Sequence, residues 1–335
     1  MAINTTRYQI PAVTGVITGT DGSNNYQGTA GLDTAQFDEG RRASVVLNDS
    51  HGPVGVAGAA GIDSVSNIET LLFVDGREVY NPEDVAAQIS RLYEITLGRE
   101  ADQDGLNTFV SALENGTSLA SVAGGMVASA EFTALYGANL TSTQYVNVLY
   151  ENMRGGDASL AEAAGWVSLI ENKTLTLGGV AADISNSPEH RAATADTLAN
   201  GIWDRDEAAI SIANLYDTAF DRLPDLDGLA AWVSLAHGQN LSLKAIAEGF
   251  YNSNEARGEL APLSDVQFVQ AVYQNALGRE AEAGGLSTWV GHLQDASLSR
   301  AGVILAISES PEHHAINADL FQSDNPLSYG VSLVA

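Results

Sequence analysis

Two distant stretches of the chain are near-copies: LGREADQDGLNTFV at 97–110 and LGREAEAGGLSTWV at 277–290. Aligning them exposes a longer repeat, and a repeat of this kind governs the architecture of the whole chain. A tyrosine recurs at Tyr93, Tyr150, Tyr216 and Tyr273. At one fixed interval after each stands a large aromatic: Phe109, Trp166, Trp232 and Trp289. Further along each unit comes a glutamate (Glu131, Glu189, Glu255, Glu312), each preceded at two positions by a serine. The step from Tyr93 to Tyr150 equals the step from Tyr216 to Tyr273, and the step between them is longer. Units three and four therefore follow units one and two at a single constant offset. A pair of units has been duplicated: residues 84–200 form the first pair and 207–318 the second, with NGIWDRDE at 200–207 as the joint.

Within a unit the apolar residues keep helical spacing. Val85, Ile89, Leu92, Tyr93 and Thr96 fall on one face. Gly98 stops that helix. Asp102 and Asp104 offer N-caps for a second, which carries Leu106, Phe109, Val110 and Leu113. Ser118 caps a third and Ser129 opens a fourth. At the last station units two and four read SPEH (187–190, 310–313). This is a capping serine, a proline at the first helical position and an acid where the helix dipole favours it. The repeated aromatics are expected to join the helices of each unit.

The region over 1–80 differs. It is rich in Gly, Thr and Asn with short alternating runs such as Arg42–Leu47, the pattern of strands and tight turns. HGPVGVAGAAGID, at 51–63, reads as a glycine-rich turn, since it does not match the spacing of a phosphate loop. The expected fold is therefore α+β, mainly α. A β-rich region over 1–80 precedes four all-α units in two pairs, with a C-terminal tail over 319–335.

Charge narrows the function. The chain carries 42 acids against 15 bases, a formal charge of −27, which repels nucleic acid and anionic membrane and attracts cations. There is no cysteine, so disulfides, zinc–thiolate sites and thiol catalysis are excluded. No apolar run approaches the ~20 residues of a membrane helix, so no membrane insertion is expected. The N-terminal segment lacks a basic stretch followed by an apolar one, so a cleaved export signal is not expected there. No HExxH, GxSxG or Walker motif occurs, and the expectation is a non-enzyme.

If a metal binds, calcium is the natural one, because the available ligands are hard oxygens. Glu100, Asp102 and Asp104 ahead of Gly105 give the first half of an EF-hand-like loop, without its glutamate at position twelve; Asp225 and Asp227 ahead of Gly228 repeat part of it. These acids suit either helix capping or a weak calcium site. Asp21, Asp33, Asp38, Asp63 and Asp75 are further candidates, or ordinary turn residues. Arg99, Arg222 and Arg279 stand beside such acids and are expected to form salt bridges or to clamp carbonyls. His190 and His313 occupy duplicated positions, which points to structure rather than catalysis.

Two stretches resemble known families. GIDSVSNIETLLFVDGREV (61–79), with GLDTAQFDEGRRASVVL (31–47) ahead of it, resembles the segment that closes RTX-type calcium-binding β-regions of bacterial type I secreted proteins, although the glycine- and aspartate-rich nonapeptides are missing. The LGRE…GL…W units resemble the family of domain of unknown function 4214, an all-α module distantly similar to the phycobilisome linker domain. Units one and four match best, and unit two keeps Trp166 but lacks the Gly-Leu pair. The C-terminus, LFQSDNPLSYGVSLVA, is similar in style to uncleaved type I export signals. These resemblances imply a secreted or surface-located bacterial protein. The expected role is a calcium-supported, self-associating structural subunit of an S-layer-like or matrix assembly. The alternative is an adhesin or carbohydrate-binding module contacting cell-surface glycan.

Overall fold

The computed structural model describes residues 15–18, 22–58, 61–239, 241–325 and 329–334. The fold is α+β and mainly α. Its β-module begins with β1 (Gly15–Thr18), β2 (Asn25–Gln27) and β3 (Asp33–Gln36), then a hairpin of β4 (Val45–Asp49) and β5 (Gly52–Gly58), then β6 (Gly61–Ser66), β7 (Thr70–Phe73) and β8 (Gly76–Val79). β1, β3 and β7 pair in parallel in one sheet, and β2 and β6 in parallel in the other. The chain thus winds back and forth between two sheets, and its core is Tyr26, Phe37, Val56, Leu71 and Phe73. Phe37 and Phe73 stack with centroids 5.3 Å apart.

The glycine-rich run expected as a turn is instead strand β5, hydrogen-bonded on both sides. Gly52, at φ 118°, completes the turn from β4, whereas Gly55 and Gly58 serve close approach. A side chain at Gly55 would press on the Asp63 carbonyl at 2.8 Å, and one at Gly58 would overlap the Glu39 carboxylate.

The joint between the helical pairs is also a strand. β9 (Ile202–Arg205) adds antiparallel to β8 and completes the first sheet in the order β1-β3-β7-β8-β9. Trp203, 2% exposed, enters the β-module core. Arg77 locks the seam, donating to Asp204 at 2.8 Å and to Asp84 at 2.9 Å.

The first pair comprises α1 (Val85–Leu97), α2 (Gln103–Glu114), α3 (Leu119–Val127), α4 (Ala130–Tyr136), α5 (Ser142–Arg154), α6 (Leu160–Glu171), α7 (Leu177–Ser185), α8 (Pro188–Ala193) and α9 (Ala195–Ala199). The second repeats it with α10 (Glu207–Phe220), α11 (Leu226–Gly238), α12 (Leu243–Tyr251), α13 (Asn254–Glu259), α14 (Asp265–Leu277), α15 (Ala283–Gln294), α16 (Arg300–Ser308), α17 (Pro311–Ile316) and α18 (Ala318–Phe321). Of the caps expected from the sequence, Asp102, Ser118, Ser129, Ser187 and Ser310 each accept an N–H of the helix they open, whereas Asp104 lies within the first turn of α2. The left-handed residue closing the first helix of each unit is Gly98, Gly155, Asp221 or Gly278.

Within each pair the two units face each other. α1 packs on α5 and α3 on α7; α10 packs on α14 and α12 on α16. Asn152 donates across the first interface to the Ile95 carbonyl at 2.9 Å, and Asn275 does the same across the second to Thr218 at 3.3 Å. Each asparagine lies two residues after its unit's tyrosine, and each acceptor two residues after the partner unit's tyrosine.

The tail returns to the β-module. Val331 is buried, and its N–H donates to Asp75 at 2.7 Å. Tyr329 stacks on Trp203 at 5.8 Å, and the Val334 N–H reaches the Pro224 carbonyl. The tail therefore staples the β-module to the second helical pair.

Candidate functional site

The repeated tyrosine and glutamate converge on an arginine in every unit. Arg99 bonds Glu131 through two nitrogens, at 2.7 and 3.1 Å, and lies 5.1 Å from the Tyr93 ring centre. Arg222 holds Glu255 at 2.8 and 2.9 Å over Tyr216 at 4.8 Å, and Arg279 holds Glu312 at 2.9 Å twice over Tyr273 at 5.4 Å. The glutamates sit in the first turns of α4, α13 and α17, where the dipole favours a carboxylate. Each clamp therefore ties the end of a unit's first helix to the start of its fourth. Arg99 and Arg279 also clamp the carbonyls of Glu100 and Glu280. Both expected roles of these arginines occur together.

The second unit reaches the same geometry by another route. Its arginine, Arg154, precedes the helix-closing glycine instead of following it, yet it meets Glu189 at 2.9 Å and the Tyr150 ring at 4.7 Å. In the other units an acid nine residues after the tyrosine (Asp102, Asp225 or Glu282) occupies the N-cap and faces the arginine. Here Ser159 takes the cap, and Glu162, three residues on, supplies the carboxylate at 2.9 Å while completing a capping box. Hydrogen bonds from Arg154 and Ser159 pull Glu162 down to about 2. Position 162 is glycine in the other units, where the tyrosine hydroxyl lies over it: a side chain at Gly105 or Gly228 would overlap that hydroxyl. In unit two Tyr150 accepts from Trp166 Nε1 at 3.1 Å, as Tyr273 does from Trp289 at 2.9 Å. Arg154 and Glu162 were not expected from the sequence, because aligning on LGR places the arginine six residues after the tyrosine rather than four.

The clamps hold little chemistry in reserve. Their guanidinium donors are committed, and Arg99 holds Glu131 below its ordinary carboxylate range. Burial pushes Tyr93 up to about 12, far from any role as a base near neutral pH. Inward of the clamps lie the duplicated histidines. His190 Nε2 meets Glu94 at 3.2 Å, and His313 Nε2 meets Asp217 at 2.7 Å while Nδ1 meets the Ser308 carbonyl at 2.9 Å. Each links the fourth helix of one unit to the first helix of its partner unit. Burial, with the Arg91 charge adding to it, presses His190 down to about 4, so it stays neutral at pH 7.

The candidate calcium ligands are dispersed. Asp102 caps α2 through the Gly105 N–H at 2.8 Å and pairs with Arg99. Asp104 pairs with Arg205 from the joint, and Glu100 stands exposed at the mouth of a cleft. Asp225 caps α11, and Asp227 stands exposed in its first turn. In the β-module, Asp33 is buried and accepts from Thr29 at 2.6 and 2.8 Å, while Asp63 accepts from Asn24 at 2.6 and 3.1 Å. Asp38 is exposed beside α11. Asp75 is buried between the Arg41 and Val331 N–H groups; burial raises it to about 6 against those two bonds. Asp21 lies outside the described residues. Among the described residues no three His, Asp or Glu side chains converge as a metal-ligating group.

The sequence pattern of the family described as "Domain of unknown function (DUF4214)" matches residues 80–135, 123–194 and 247–317, more than half of the chain. No curated protein matches it. The matches cover units one and two, the end of unit three and unit four, and the structure shows the same helices and clamp throughout unit three.

Proposed function

This chain belongs to the DUF4214 family, and on that premise we propose that it is a non-enzymatic structural protein of the bacterial surface or extracellular space, self-assembling with the support of calcium. One contrast between equivalent helices carries this reading. α2 and α11, the second helices of units one and three, turn toward the β-module. α2 buries Gln103, Leu106, Asn107 and Val110, and α11 buries Leu229, Val233, Ala236 and His237. The equivalent helices of units two and four have no such cover. α6 buries only Ala163 and leaves Leu160 92% exposed, and α15 buries no residue. Faces that one half of each pair needs for packing are thus open in the other half, the disposition of a subunit that continues into neighbouring copies.

Calcium in this reading acts between copies. Like-charged subunits at −27 repel, and a divalent ion bridging accessible carboxylates such as Asp38 and Asp227 lowers that repulsion. The RTX-like β-segment and the tail support type I export. Light scattering in EDTA and in calcium at about millimolar level tests the assembly: particles should grow with calcium, and Leu160→Glu should limit that growth. A monomer under both conditions at high concentration sinks the reading. Export is tested separately by deleting residues 322–335 and comparing medium with cells.

A further inference from the structure

A cleft of about 530 Å³ opens where the β-module, the start of α2, the α9–β9 joint and the tail meet. Its floor is built and rigid. Glu78, 3% exposed, is held by Arg41 at 3.0 Å and receives the Tyr80 hydroxyl. Asn48 accepts from the same hydroxyl at 3.0 Å and donates to the Asn200 carbonyl at 2.9 Å. One wall is aromatic: Trp203 lies 5.8 Å from Tyr329 at 16°, so it backs one face of a ring that lines the cleft and keeps partial exposure. Burial, reinforced by the charges of Glu100 and Glu78, pushes Tyr329 up to about 12, so its phenol keeps its proton and can donate.

The remaining wall is polar and uncommitted. The side chains of Ser90, Glu100, Asp196 and Thr197 line the cleft with no hydrogen-bond partner among the described residues. Two carboxylates that can only accept, two hydroxyls and a braced aromatic ring suit a ligand that donates several O–H groups and presents an apolar C–H face. An anion is disfavoured by these acids and by the charge of the chain. A bare metal ion lacks a converging set of ligands here. The volume lies within the ~300–1,000 Å³ range of small-molecule sites.

We propose that this cleft binds a neutral saccharide of one or two rings, with its C–H face against Tyr329 and its hydroxyls on Glu100 and Asp196. The site is separate from α6 and α15 and does not depend on the assembly reading. The test is calorimetric titration of the full chain, dilute and in EDTA, with glucose, galactose, N-acetylglucosamine, maltose and cellobiose. At least one sugar should bind saturably. Tyr329→Ala should weaken it about tenfold or more, the loss of one stacking contact of about 1.4 kcal/mol, and Tyr329→Phe should retain most of the affinity. Glu100→Gln and Asp196→Asn, both at exposed positions that leave the fold intact, should each weaken binding severalfold, and Asp157→Asn, outside the cleft, should not. Absence of saturable binding to every sugar overturns the proposal, as does unchanged affinity in the Glu100 and Asp196 variants. Saturable binding of choline in place of the sugars overturns it too, since the site would then be one for an organic cation.

Discussion

Two glycine-to-alanine substitutions in the first helical pair should have opposite signs. Gly165 lies in the middle of α6, and an added Cβ meets nothing within 4 Å. Alanine there gains only helix propensity, about 0.8–1 kcal/mol. Gly178 opens α7 where it crosses α3, and its Cβ would overlap the Ala120 carbonyl oxygen and stand 2.7 Å from the Gly124 Cα. Carbon atoms prefer about 3.5–4 Å, so the two helices must part by about 1 Å. The obstacle is backbone, which no rotamer change relieves. Overpacking of this kind costs about 1–3 kcal/mol. Offset by the same propensity gain, Gly178→Ala should lose up to about 2 kcal/mol. Urea unfolding followed by circular dichroism reads both variants: the midpoint should rise for Gly165→Ala and fall for Gly178→Ala at unchanged slope. Equal midpoint shifts of the same sign would refute the backbone-to-backbone crossing. The second pair is an internal reference. Ala301 and Ala247 stand where the first pair has Gly178 and Gly124, and both are buried. Ala301→Gly should therefore destabilise, because it removes a packed methyl and lowers propensity together.

Acid should weaken the fold through His190. With its pKa at about 4 in the fold and about 6.5 unfolded, its contribution is intact above pH 6.5 and is lost as pH falls toward 4, by up to about 3 kcal/mol. Asp75, raised to about 6, runs the other way and favours the fold as pH drops from 6 toward 4. His190→Gln should flatten the acid limb of a melting-temperature profile, while Asp75→Asn should steepen it. At the helix-closing station Asp221 adopts φ 51° where the other units have glycine; Asp221→Gly should gain up to about 1 kcal/mol, and Gly98→Asp should lose as much, both read from denaturation midpoints. Arg222→Lys should recover little of the ~1–2 kcal/mol lost by Arg222→Ala, because the bidentate grip on Glu255 and the stacking on Tyr216 need a planar guanidinium; equal stability of the lysine variant and the wild type would count against the clamp.

What the chain discloses on its own is what is local. A cap speaks through residues three apart, as Ser129 and Phe132 do, and a duplicated unit repeats that message at a fixed interval. The mainly helical fold, the four units and the capping serines follow from such short-range rules. The joint strand is not legible this way: IWDR is too short to announce a strand, and β9 forms only because β8, on the far side of the whole first helical pair, offers an edge. The tail is the same case, since nothing near Val331 implies Asp75. The glycine-rich run misleads for a related reason. Glycine marks turns when only neighbours are considered, but Gly55 and Gly58 answer to Asp63 and Glu39, which only the folded sheet brings near. For the candidate site, the separate stations are visible as Tyr, Arg and Glu, and their convergence is not.

Unit two indicates what the duplication preserves. Its arginine has moved two residues toward the tyrosine, and its second carboxylate three residues away from it, and yet Arg154 still lies over an aromatic ring between two acids. The constraint acts on the relation among helix ends, and two different local sequences satisfy it. At the cap, either Asp102 accepts from the helix and faces the arginine with one carboxylate, or Ser159 accepts and leaves the arginine to Glu162. In the second arrangement Glu162 stands at the glycine's position, and Tyr150 accepts from the Trp166 N–H. Unit one, with Phe109 at that station, has no such donor, and Tyr93 remains over Gly105. The Gly-Leu pair and the tryptophan hydrogen bond are thus separable parts of the module. Units three and four carry both, unit one only the glycine and unit two only the tryptophan, so the arginine clamp is the element all four units require.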